Sequence, residues 1–243
     1  MDVKPPASPV AAAPLAMARP VFACLSLHRG DCLRLIKFPP EAVQWIEGAI
    51  ADSRWPGGIQ STQGKAGSVF EFKLNGYPWN GGQATSLASR RLMVHILRTL
   101  KTHGFVIVTS TDMSRSENDK DTLIFRRVEP DANPPAMFSI SLNMGDTLRL
   151  IDAPPLMDTI VGECISEYWR QGLQEKIRLS ANCTEFKLQG YPWSSDSNAI
   201  VSARIFVLNL LSVLEANGWR MYASIDMSAG EADKDSWFLE AIV

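Results

Sequence analysis

Histidine is scarce in this 243-residue chain, with only His28, His95 and His103, and cysteine is little commoner at four. The cysteines (Cys24, Cys32, Cys164, Cys183) show no CxxC spacing. That excludes the usual zinc and thioredoxin-like signatures and points to free thiols in a reducing compartment. No GxSxG, HExxH or P-loop occurs, so no nucleophile, zinc-hydrolase or nucleotide motif assigns a reaction. A marked excess of either charge is also missing, with 24 Lys and Arg against 26 Asp and Glu. A net charge of −2 gives no general attraction to nucleic acid or to an anionic membrane. No apolar run approaches the roughly 18 residues that a spanning helix needs. The opening "MDVKPPASPVAAAPLAMARP" has neither the apolar core of a signal peptide nor the arginines of a transit peptide, and residues 1–20 read as a disordered tail.

What the chain does contain is itself, twice. "FKLNGYPW" at 72–79 returns as "FKLQGYPW" at 186–193, an offset of 114. The same offset carries Trp55 onto Trp169, Arg90 onto Arg204, Gly104 onto Gly218, and Asp119-Lys120-Asp121 onto Asp233-Lys234-Asp235. Upstream, Gly30-Asp31 and Leu33-Arg34-Leu35-Ile36 match Gly145-Asp146 and Leu148-Arg149-Leu150-Ile151 at an offset of 115. Repeats of this length are whole domains rather than solenoid units. The spacing predicts one repeat over 21–128, a Pro-containing linker over 129–136, and a second repeat over 137–243.

Each repeat reads as ββαβαββ. "FACLSL" and "CLRLIKF" flank "HRGD" as a hairpin. Val43, Ile46 and Ile50 recur at helical spacing. "SVFEFKLNG" alternates, with Phe70, Phe72 and Leu74 on one face. A second helix runs over about 83–103, with Ser89, Met93, Ile96, Leu97 and Leu100 inward, and Gly104 or Gly218 ends it in its copy. Two further strands close the unit. The expected fold is α+β: a tandem duplication of antiparallel sheets, each with two helices on one face, the units related by a pseudo-two-fold axis. If Ile124 and Phe238 face the helices, alternation turns Leu123, Phe125, Trp237 and Leu239 outward. So much outward apolar surface would be covered by packing sheet on sheet, or by a partner.

Three repeated motifs are candidates for function. The GYPW corners offer Tyr77, Trp79, Tyr191 and Trp193 as an aromatic wall, although glycine, proline and aromatics equally suit a strand-to-helix corner. The acidic loops 110–122 and 224–236 place Asp112 and Asp226 among other oxygen side chains. They lack the EF-hand glycine and the final glutamate, and Lys120 and Lys234 lie among the acids, so a self-satisfied hairpin loop is expected and no metal. Arg90 and Arg204 sit beside the buried helix stripe, where each needs a partner; Glu71 or a loop acid is expected for Arg90. Arg34 and Lys73, together with Glu71, should form cross-strand ion pairs on the outer sheet face. These features indicate a non-enzymatic binding or scaffolding protein, cytoplasmic or nuclear. It would have protein partners, no cofactor, and no nucleic-acid or membrane ligand. The alternative is an enzyme or small-ligand receptor with a pocket at the domain junction, lined by the GYPW corners and the acidic loops.

Overall fold

The computed structural model describes residues 19–65, 67–80, 83–113, 119–194, 197–227 and 234–242. Residues 1–18 of the expected tail lie outside this set, as do the side chain of Lys120 and the loop acids Glu117, Glu231 and Asp233 expected near Lys120 and Lys234. The first repeat runs β1 (Phe22–His28), β2 (Cys32–Ile36), α1 (Ala42–Asp52), β3 (Ile59–Lys65), β4 (Val69–Leu74), α2 (Gln83–Thr102), β5 (Phe105–Thr111) and β6 (Asp119–Arg127). The second runs β7 (Met137–Asn143), β8 (Thr147–Ile151), α3 (Met157–Tyr168), β9 (Leu173–Ser180), β10 (Cys183–Leu188), α4 (Ser197–Ala216), β11 (Trp219–Ile225) and β12 (Ser236–Ala241). The strand orders, β3-β4-β2-β1-β6-β5 and β9-β10-β8-β7-β12-β11, are the same in both repeats. Every pairing is antiparallel.

Each unit is therefore ββαββαββ, one strand more than the periodicity predicts. The extra strands, β3 and β9, are edge strands exposed along nearly their whole length. They bury almost no side chains, so their sequences carry no apolar alternation, and backbone pairing to β4 and β10 holds them in place. The helices follow the expected phase. Ser89, Met93, Ile96, Leu97 and Leu100 are all buried, as are Ala203, Leu210 and Leu214 in α4. Gly104 and Gly218 end α2 and α4 with φ of 78° and 84°, in the left-handed region that a side chain resists.

The phase of the last strands is the reverse of the expected one. Leu123 and Phe125 are fully buried in the core of the first repeat, and Leu239 in that of the second. Ile124 faces outward and is half-buried. Phe238 also faces outward from its own helices, yet it is fully buried, in the cluster built around the first repeat. What covers it is α2.

Helix α2 packs its inner stripe on the first sheet and a second face on the outer side of β7 and β8. Every residue of β7 and β8 is consequently buried, whereas the equivalent β1 and β2 alternate. The layers run sheet, helices, sheet, helices. The expected sheet-on-sheet packing does not occur. A two-fold relation would make the contact of α2 with the second sheet reciprocal. Among the described residues α4 makes no comparable contact with the first sheet; its outer face is exposed at Val201, Ile205 and Leu208. The repeats meet head-to-tail, with β5 and β11 adjacent at one edge.

Candidate functional site

The octapeptide builds a corner. Gly76 and Tyr77 adopt φ of 86° and 50°, and Gly190 and Tyr191 repeat this at 88° and 53°. Two successive left-handed residues reverse the chain sharply, which glycine permits at the first position. The corner then docks on the β1–β2 turn: the Trp79 N–H donates to the Gly30 carbonyl at 3.0 Å and its indole to the Cys32 carbonyl at 3.0 Å. Trp193 does the same to Gly145 at 2.8 Å and Thr147 at 3.1 Å. The varied position, Asn75 or Gln189, is held through its backbone carbonyl, which accepts from the indole of Trp55 or Trp169 at 2.9 Å in both copies. The Asn75 side chain adds a bond to the Gly57 carbonyl at 2.9 Å, but the backbone contact common to both copies holds the corner with either amide. Trp79 is fully buried and Trp193 partly, so both are structural. Tyr77 and Tyr191 are exposed at 59% and 63%. Tyr77 borders a shallow hollow of about 470 Å³ with Arg29, Asp31, Lys73 and Asn80.

The acidic loops satisfy themselves where they are described. Ser110 donates to Asp121, and Ser224 to Asp235 at 2.9 Å, the same contact in both repeats. The two loops also meet, because the Asp226 N–H donates to Asp121 Oδ2 at 2.8 Å. Burial, with Asp226 and Asp235 nearby, holds the Asp121 carboxyl above its usual range despite those donors. Asp112 is exposed. Among the described residues no cluster of His, Cys, Asp and Glu is arranged to hold a metal.

The outer-face pairs form as expected. Arg34 and Arg149 bond Glu71 and Glu185, their cross-strand neighbours, while Lys73 reaches Asp31 at 3.8 Å. Glu71 is thus not the partner of Arg90. Arg90 is buried between the repeats and donates through Nε to Ser236 Oγ at 3.0 Å and through Nη1 to the Ser86 carbonyl at 3.2 Å. Arg204, its equivalent, is exposed. The same junction carries the pair Lys101–Glu240, with Arg220 on the same carboxylate at 2.7 Å. It also carries Arg149 Nη1 to Ser86 Oγ at 3.2 Å.

A cavity of about 590 Å³ does open at the junction, but neither the GYPW corners nor the acidic loops line it. None of the eight expected site residues does. Its charged lining is Asp52, Arg54, Arg91, His95, Arg98 and Asp152, with Val94 and Met137 beneath. Arg91 and Asp152 form a two-pronged ion pair, both contacts 2.7 Å. Arg54 and Arg98 make no ion pair among the described residues. Burial pushes the His95 imidazole below its usual range, against the pull of Asp52 and Asp152. This lining was invisible to a comparison of the repeats. Arg91, His95 and Arg98 align with Ile205, Asn209 and Ser212, and Asp152 with Lys37. A search for positions shared by the repeats therefore passes these four over.

Three of the four thiols are unsuited to nucleophilic chemistry. Cys32, Cys164 and Cys183 are buried, and burial pushes each up to about 11. Among the described residues no helix is long and apolar enough to cross a membrane.

Comparison with known proteins adds the duplication itself: the profile of one domain family matches residues 21–126 and again 136–240. No curated protein matches the chain significantly.

Proposed function

The chain belongs to one domain family, which it carries twice, and on that premise we propose that it is a non-enzymatic binding or scaffolding protein acting through surfaces that its stacked repeats leave uncovered. One observation carries this reading. Val201, Ile205 and Leu208 stand on one stripe of α4 and are exposed at 52%, 53% and 66%, while the aligned Val94 of α2 is buried against the other repeat. Three large apolar side chains in a row, on a helix whose twin is covered, mark a docking face. Protein partners suit it better than nucleic acid or membrane, because among the described residues no basic patch accompanies it. Four thiols without a disulfide fit a cytoplasmic or nuclear setting.

A second reading, a small-ligand receptor, draws on the junction cavity, where Arg54 and Arg98, without an ion pair among the described residues, lie beside His95 and would suit a small anion. One experiment separates the two: affinity capture from native lysate, with mass spectrometry of retained proteins and small molecules, for wild type, Leu208→Asp and Arg98→Ala. The binding reading expects a stoichiometric protein that Leu208→Asp loses with its melting temperature unchanged. Retention of a small anion alone, lost in Arg98→Ala, would replace it with the receptor reading.

A further inference from the structure

Head-to-tail stacking uses one helix face, that of α2, and one outer sheet face, that of the second sheet. Among the described residues, nothing covers the equivalent α4 face or packs a helix on the equivalent outer face of the first sheet. Resting on the binding reading above, we propose that the occupant of both is a second copy of this chain: α4 of one molecule docks on the outer face of the first sheet of the next, repeating between chains the contact already made between repeats.

The residues at the aligned positions support this pair by pair. Within the chain, Val94 of α2 and Met137 of β7 line the same cavity. Their equivalents are Leu208 and Phe22, both larger and both exposed, at 66% and 46%. Arg90 donates to the hydroxyl of Ser236. The equivalents are Arg204 and Thr122, again a guanidinium facing a hydroxyl. Lys101 pairs with Glu240. At those two positions the second helix carries Glu215 and the first sheet carries Arg126, so the charge is reversed on both sides and the pair is kept.

That double reversal is the strongest feature. Lys101 and Glu215 lie on different helices, and Glu240 and Arg126 in different sheets, so no local preference links the two changes. Opposed charge across a shared contact does. The placement within each surface also fits. Phe22 and Arg126 are direct cross-strand partners, as Met137 and Glu240 are. Val201, Leu208 and Glu215 follow one another at seven-residue spacing along one stripe of α4, as Leu87, Val94 and Lys101 do along α2. Two internal contacts of α2 are not kept: Arg91–Asp152 becomes Ile205 beside Lys37, and Ser86–Arg149 becomes Ile200 beside Arg34, and neither change opposes like charges. Because the mating surfaces differ, each molecule has one of each, and the contact propagates into a closed ring or an open chain.

Sedimentation velocity on the full chain tests this from about 1 to 200 μM, the range over which a single-helix contact of micromolar affinity would show itself. The average mass should rise above the 26.8 kDa of one chain as concentration increases. Glu215→Arg and Arg126→Glu should each weaken association on the order of tenfold, with unchanged circular dichroism and melting temperature. Mixing the two variants should restore it. The helix face of the first then meets the sheet face of the second with charges opposed, and the remaining pair of faces is wild type. A wild-type chain that stays at one molecule throughout, or a mixture that fails to recover, overturns the proposal. If that monomeric chain still captures a different protein that Leu208→Asp loses, self-docking falls while the binding reading stands.

Discussion

Truncating Phe238 to alanine asks directly whether the repeats stack head-to-tail. Phe238 is fully buried on the outer face of β12, in the cluster that includes α2. Removing a buried phenylalanine side chain costs about 3–5 kcal/mol, from lost transfer energy and the cavity left behind. Its equivalent, Ile124, sits on the outer face of β6 and is half-buried. Half the burial of an isoleucine corresponds to about 1 kcal/mol. In a domain pair of this size each kcal/mol moves the melting temperature by roughly 2–4 °C, so Phe238→Ala should lower it by roughly 6–20 °C and Ile124→Ala by only a few. The assay is urea and thermal unfolding followed by circular dichroism and tryptophan fluorescence, at concentrations low enough to keep the chain monomeric. Equal losses at the two positions would refute the asymmetric stack, since a reciprocal interface buries both side chains alike. Because α2 belongs to both layers, Phe238→Ala should also destabilise the first repeat, visible as a shift in the signal of the buried Trp79.

The two helix-ending glycines should respond differently to alanine. A Cβ on Gly104 would lie 2.4 Å from the Val128 carbonyl, a backbone atom, whereas one on Gly218 meets nothing within 4 Å. Gly218→Ala should cost about 1 kcal/mol from its left-handed φ, and Gly104→Ala more than twice that, measured by urea titration. Asp121 supplies a pH signature. Its folded-state pKa is raised by burial and by Asp226 and Asp235, so its contribution to stability is full below the unfolded value and lost as pH rises through the folded one. Asp121→Asn should therefore gain in melting temperature relative to wild type at pH 7, and the gain should shrink as pH falls through the raised carboxyl range; a pH-independent difference would contradict it. Cys32, Cys164 and Cys183, each near 11, should resist iodoacetamide at pH 8 in the folded chain and react in urea, counted by mass spectrometry.

Much of this was legible in the residues. The octapeptide fixed the duplication, the spacing of Met93, Ile96, Leu97 and Leu100 fixed the helix and its inner face, and the opposed charges of Arg34 and Glu71 fixed a cross-strand pair. Local order was legible because it rests on interactions a few residues apart, or on backbone preferences such as those of Gly104 and Gly218. β3 escaped because an edge strand can be held by backbone bonds alone, which leave no side-chain pattern. The phase of β12 escaped because Trp237, Phe238 and Leu239 are all apolar, and alternation has no meaning where both faces are covered.

How the repeats meet was decided only in the tertiary structure, and α2 and α4 give the reason. On the faces away from their own sheets, α2 carries Arg90, Arg91 and Lys101 around Val94, while α4 carries the more apolar set Val201, Ile205 and Leu208, with Arg204 and Glu215. Hydrophobicity alone would bury the second face and expose the first. The fold does the opposite, because Ser236, Asp152 and Glu240 stand opposite the cations of α2 and satisfy them. Burial of a charged face depends on the partner's charges, which lie more than sixty residues away along the chain. The sequence of one helix can therefore determine its own winding and inner stripe, but not which of its faces the rest of the molecule will cover.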